Sequence, residues 1–219
     1  MNMKNREPSF NGELNLLPVN QINEEYRQDN FLFDSEECAK ILDYKEFFEC
    51  KFTKITFTKH IRRAMFTDVI FENCDFSNID MRECVFHRVI FRKCRLTGTD
   101  FTRGTFEDVL VEKTQAQYAC FSSSKIKNSG FIDDVLSDTG FSMCKIDNTA
   151  TEECDFSRAE FYDTKLKNLD FTRCNISNIV VEANDIKGVI VNEEQAIAFA
   201  KLLGIVVKWL FIILSQSDQ

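Results

Sequence analysis

The chain has 219 residues and 44% hydrophobic content, enough for one sizeable core and too much for a chain disordered throughout. Its net charge of −8 leaves no basic excess to neutralise phosphates, which excludes nucleic acid as the expected direct ligand. Nine cysteines without a CxxC pair, a polar start "MNMKNREPSFNGELN" and no apolar run near the ~20 residues a bilayer requires predict reduced thiols, a cytoplasmic setting and no membrane span.

Residues 1–44 show no repeat and read as a separate N-terminal segment, with an apolar "FLF" at Phe31–Phe33 and a short helical "SEECAKIL". Phe47, Phe52 and Phe57 then open a spacing of five. From Ile61 to Val191 the spacing holds at 27 positions without a slip, and 13 of these are Phe. Twelve more are Ile, Leu, Val or Met, which leaves Ala116 and Thr151 as the weak points. The two series are offset by one residue, so an irregular corner is expected between Phe57 and Ile61.

Residues two apart on an extended chain point to the same side. With Phe76 inward, Cys74 is inward and Asp75 outward, and Ser77 and Asn78 must turn a corner before Ile79 and Met81. Each five residues therefore make one flat side and one turn, and sides that keep turning the same way wind into a solenoid filled by side chains. The second inward position is mostly small, as at Cys84, Cys94, Thr99, Gly104, Ser124 and Cys154, because bulk at one position calls for economy beside it. Seven cysteines fall there and are expected to be inert, which leaves Cys38 and Cys120 as the reactive thiols.

The stretches "CDFSN", "TDFTR", "CDFSR", "AEFYD" and "LDFTR" resemble the pentapeptide-repeat family, whose motif is A(D/N)LXX with Phe common at the centre. The resemblance covers about residues 45–191. It implies an all-β fold, a right-handed quadrilateral β-helix with four repeats per coil, and hence a rod about 35 Å long at roughly 4.8 Å per coil.

The two histidines, His60 and His87, have no nucleophile or phosphate loop beside them, so the chain is expected to be no enzyme and to need no cofactor or metal. Sorted by side, Lys125, Lys127, Lys145, Lys165, Lys167 and Lys187 form a basic strip. Glu72, Glu112, Asp133, Glu152 and Glu153 lie on the adjoining side, and Asp80, Glu83, Asp100, Glu160 and Asp163 on a third. An outward apolar column, Ile70, Ile90, Leu110, Ala150 and Ile190, calls for a cover, expected from the chain's own N-terminal segment.

Residues 192–219 end the tube. Asn192 caps a helix with Gln195 three residues on, Gly204 stops it, and "GIVVKWLFIIL" reads as a strand. Helix and strand exceed what one cap requires, which predicts a homodimer joined through Ile197, Ala200, Leu203, Ile205, Val207, Trp209 and Phe211.

In length, in its nearly all-repeat organisation and in "EEQAIAFAKLLGIVV", the chain is similar to the quinolone-resistance proteins of the Qnr and MfpA type. That resemblance implies a dimer that binds DNA gyrase or topoisomerase IV as a mimic of B-form DNA, with the two acidic sides meeting the partner. The competing class is a non-enzymatic scaffold or regulatory module for another protein, because one fold hosts many functions.

Overall fold

The computed structural model describes residues 7–22 and 24–208. Corners come every five residues. Asn73, Asn78, Glu83, Arg88 and Lys93 take φ between 51 and 61°, and the same position stays left-handed along nearly the whole rod. Such a φ costs a non-glycine residue about 1–2 kcal/mol. Each of these corners is held from the next coil: the amide of Asn73 donates to the Arg92 carbonyl at 3.0 Å and that of Asn78 to Thr97 at 2.9 Å. Stacking thus replaces the glycines that the composition lacks.

Between corners the chain is extended. The strands are β1 (Asn15–Leu16), β2 (Arg27–Asp29), β3 (Phe31–Asp34), β4 (Glu37–Cys38), β5 (Glu46–Thr53), β6 (Thr56–Phe57) and β7 (Met65–Glu72). They continue as β8 (Val85–Arg92), β9 (Thr105–Glu112), β10 (Lys125–Lys127), β11 (Gly130–Ile132), β12 (Lys145–Asp147) and β13 (Ala150–Glu152). All pairings are parallel, and Phe66 faces Phe86, which faces Phe106. The result is a four-sided β-solenoid of about seven turns over residues 15–152. Isolated parallel bridges carry the stack on to Ile190.

The periodic residues fill the axis as expected. Phe101, Phe121, Phe141 and Phe161 stack with ring centroids 5.0 Å apart, and Phe52, Phe71 and Phe91 repeat the same distance on another side. The small inward residues do more than leave room. Thr99 Oγ1 donates to the Phe76 carbonyl at 2.8 Å, Ser124 Oγ to Phe101 at 3.0 Å and Cys144 Sγ to Phe121 at 2.9 Å. Each adds a second hydrogen bond to a buried carbonyl of the coil below that already accepts an amide, Ile79 on Phe76 at 3.0 Å, Gly104 on Phe101 at 2.8 Å and Ser124 on Phe121 at 3.1 Å.

The N-terminal segment departs from expectation. It is part of the stack: β1 pairs with β3, and β3 with β5. Phe33 is fully buried and stacks on Phe52 at 4.6 Å, while Phe31 and Leu32 are half-buried, so "FLF" is a rung of the stack and not a cover laid over the apolar column. The expected helix at "SEECAKIL" is instead strand β4, paired with β6. Its Cys38 faces Phe57 with 0% exposure, which removes it from the reactive thiols, and only Cys120 is partly exposed. The irregular corner between Phe57 and Ile61 has a twin. Buried Cys38 and Leu42 are also four apart, and Cys38 pairs with Phe57, so two shortened corners stack on one edge. Sequence spacing missed the first because Cys38 and Leu42 are not phenylalanines.

At the far end, helix α1 (Glu193–Leu202) has the expected capping box. Asn192 accepts from the Gln195 amide at 3.0 Å, and Gln195 Oε1 from the Asn192 amide at 3.0 Å. Gln195 and Phe199 face the tube, and Gln195 Nε2 donates to the carbonyls of Phe171 and Cys174 at 2.8 and 2.9 Å, closing the last coil. Ile205–Lys208 form no strand, and the remainder of the expected strand lies outside the described residues.

Candidate partner-binding surfaces

Solenoid stacking puts residues twenty apart in neighbouring coils about 4.8 Å from each other, so outward side chains form columns. The acidic columns are largely neutralised within themselves. Glu83 lies between Arg63 at 2.9 Å and Arg103 at 2.8 Å, and these two guanidinium groups hold its carboxyl down at about 2. Arg82 reaches Asp80 at 2.7 Å and Asp100 at 3.6 Å. Glu72 meets Lys51 at 2.7 Å, Glu112 pairs with Arg92, and Arg173 takes both Glu152 and Glu153. Of the ten expected carboxylates, Asp133, Glu160 and Asp163 alone make no ion pair with a described residue, and all three are exposed. The i/i+20 pairs were present in the sequence. Charges counted side by side, without matching coils, hid them.

The basic strip stands as expected, with all six lysines exposed. Lys127 pairs with Glu107 at 3.0 Å, while Lys125, Lys145, Lys165, Lys167 and Lys187 make no ion pair among the described residues. The apolar column is uneven. Ile90 is 3% exposed and Ile190 46%. Near its start the described N-terminal residues do lie against the rod, since the Ser9 amide donates to Asp68 at 3.3 Å and the Asn11 amide to Glu49 at 2.8 Å.

The helical end presents a second apolar surface. Leu202, Leu203, Ile205 and Val206 are 61%, 47%, 54% and 80% exposed, whereas Ile197, Ala200 and Val207 are half-buried. Trp209 and Phe211, also expected at a dimer contact, lie outside the described residues.

One inward residue escaped the sequence reading. Asp134 occupies the small position between Thr114 and Cys154, is 2% exposed, and accepts from the amides of Thr114 at 2.7 Å and Ile132 at 3.0 Å. Burial pushes its carboxyl well above the ordinary range. Counting back twenty residues at a time from Cys174 would have found it. Burial likewise pushes the Cys50, Cys84 and Cys144 thiols up to about 12, which makes them inert packing groups.

Among the described residues no group of three or more His, Cys, Asp or Glu could hold a metal, and no helix is long and apolar enough to cross a membrane. What the geometry offers is charged columns and an apolar end on a repetitive rod, the surfaces of a binding solenoid. Family models for a pentapeptide repeat region and for pentapeptide repeats match residues 64–133 and 141–178, and the chain belongs to the pentapeptide-repeat family. Among solved structures it is similar to trypsin-treated QnrB1, a plasmid-mediated fluoroquinolone resistance protein. The identity is 24% over 88% of this chain and 95% of that one, with a TM-score of 0.43. HetL, a pentapeptide-repeat protein involved in heterocyst differentiation regulation in the cyanobacterium Nostoc sp., is 13% identical over 78% of this chain and 92% of its own, at a TM-score of 0.33. A pentapeptide-repeat protein of the Arabidopsis thaliana thylakoid lumen is 14% identical over 58% and 71%, at 0.31. No curated protein matches the chain. At these scores the structural likenesses say nothing of function.

Proposed function

We propose that the protein is a non-catalytic binding rod, dimeric through its helical end, that occupies a site built for duplex DNA on a type II topoisomerase, DNA gyrase or topoisomerase IV. The reading is carried by exposed carboxylates without an ion pair among the described residues, those of Asp133, Glu160 and Asp163, on a chain of net charge −8. Free surface carboxylates steer a protein toward a basic saddle, whereas paired ones contribute little. The exposed Leu202, Ile205 and Val206 support association of two copies, which would double the rod's reach.

A supercoiling assay with and without a fluoroquinolone tests it. The protein should inhibit or protect the enzyme at micromolar concentration. Changing Asp133, Glu160 and Asp163 together to Lys should abolish this without altering the melting curve. An inert wild-type protein ends the reading.

The Arg staples favour a second one. Arg63, Arg82 and Arg173 interrupt the acidic columns, so no continuous negative stripe runs along the described rod. A scaffold that docks a protein of mixed surface charge fits that pattern. Pull-down by the wild type that survives the triple Lys change would select it.

A further inference from the structure

The stack is broken at one junction. Strands β12 and β13 pair backwards with β10 and β11, and no β-bridge joins them to the next coil among the described residues. On the other two sides the same two coils stay bridged, Asp155 to Asn175 and Glu160 to Val180. What crosses the open sides is side-chain contact: the Cys144 amide to Thr164 Oγ1 at 2.9 Å, and Thr151 Oγ1 to the Asp170 carbonyl at 2.5 Å. Ile146 and Thr151, inward by position, are accordingly half-exposed, unlike their neighbours Ile126, Phe131, Leu166 and Phe171. A cleft of about 440 Å³ opens there between Met143–Asp147 below and Asp163 and Lys165 above.

Two causes coincide. Thr151 stands in a column between Phe131 and Phe171 and lacks the volume to hold the coils in register. Lys125, Lys145 and Lys165 stack in three successive coils without a counter-charge, and like charges directly opposite each other weaken strand pairing. On that side five lysines without an ion pair among the described residues outnumber the exposed Asp147 and Asp163 and the buried Asp185, one coil beyond Lys165.

We propose that this cleft docks an acidic, extended segment of a partner protein. An apolar side chain of the segment covers Ile146, and its carboxylates meet Lys145 and Lys165. Covering Ile146 supplies affinity and the lysines select the partner's sign. Of the three carboxylates in the topoisomerase reading, Asp163 alone lines this cleft, while Asp133, Glu160 and the helical end lie outside it, so peptide binding at Lys145 and Lys165 does not depend on a topoisomerase.

The probe is a short fluorescein-labelled peptide of alternating Glu and Val, followed by anisotropy with the full chain. It should bind, and Lys145→Glu with Lys165→Glu should weaken binding about tenfold or more. Lys93→Glu, on another side, should leave binding unchanged. Equal binding by a Lys/Val peptide overturns the proposal, as does no binding at millimolar concentration. Trp209, the single tryptophan, reports the rival occupant. A shift of its emission on Lys145→Glu with Lys165→Glu, in the absence of peptide, would mean that the chain's own tail fills the cleft, and would also overturn it.

Discussion

The coils at residues 65–112 and those at 145–172 are built from the same repeat, yet the first are sealed and the second are split. In the first, β7, β8 and β9 each run eight residues around a left-handed corner and pair along their whole length. In the second, β12 and β13 are three residues each and find no forward partner among the described residues. The difference lies in the columns. Phe66, Phe86 and Phe106 stack at 4.8–5.3 Å, whereas Ile146 and Thr151 have no ring to offer. Ala116 shows that a small residue alone is not enough. It is fully buried between Leu96 and Leu136, Thr139 Oγ1 donates to its carbonyl at 3.1 Å, and the bridge from Gln115 to Val135 is intact. Ladder continuity in this fold depends on column volume and on outward charge together.

The largest expected effect is in the sealed region. Phe76→Ala should cost about 3–5 kcal/mol in urea denaturation, because its ring is fully buried and stacked on Phe57 at 4.4 Å with coils fixed above and below. Thr151→Ala, at the split, should cost less than about 1 kcal/mol, since the column there already lacks volume. Equal costs would dissolve the contrast between the regions.

Amide exchange gives the second measure. Amides of Ile146–Glu152 should exchange at least about tenfold faster than those of Phe86–Arg92, because local opening there breaks no forward ladder. Uniform protection along the rod would contradict the split.

Much of this was legible in the sequence. The period of five placed nearly every core residue from Phe47 to Phe171, and of the two weak points that it marked, Thr151 lies where the wall opens and Ala116 does not. The N-terminal coils were hidden because Val19, Ile22, Phe33, Cys38 and Leu42 fill the core without an even spacing. Ion pairs such as Arg88 with Asp68 at 2.5 Å and Arg158 with Asp138 at 2.7 Å were hidden for another reason. They follow the coil's twenty-residue step, a second periodicity that composition and side-by-side charge counts ignore. Why Thr151 opens the wall and Ala116 does not was not legible, since it depends on the sum of several weak terms.

A smaller effect sharpens the comparison from the other side. Thr151→Leu should restore volume between Phe131 and Phe171 and stabilise the chain by about 1 kcal/mol. It should also slow exchange at Lys145–Asp147. Destabilisation would mean that the Thr151 hydroxyl bond to Asp170 outweighs the missing volume.

The smallest expected effect is a change in pH dependence at Asp134, one coil below the split. The unfolded carboxyl titrates near its ordinary value of 3.8, whereas burial keeps the folded one protonated to higher pH. Because the folded pKa is raised, the group's contribution is fully present below 3.8 and is lost as pH rises toward the folded value. Thr fits the same position elsewhere: Thr114 Oγ1 accepts from the Cys94 amide at 3.2 Å and Thr164 Oγ1 from Cys144 at 2.9 Å. Asp134→Thr therefore keeps an acceptor for the Thr114 amide and removes the buried acid. Melting temperatures of wild type and variant should nearly coincide at pH 4 and diverge, with the variant higher, toward pH 8. A variant that gains equally at both pH values would show that packing, and not ionisation, limits this coil. A variant that loses at pH 8 would show that the second bond, from the Ile132 amide at 3.0 Å, is worth more than the charge costs.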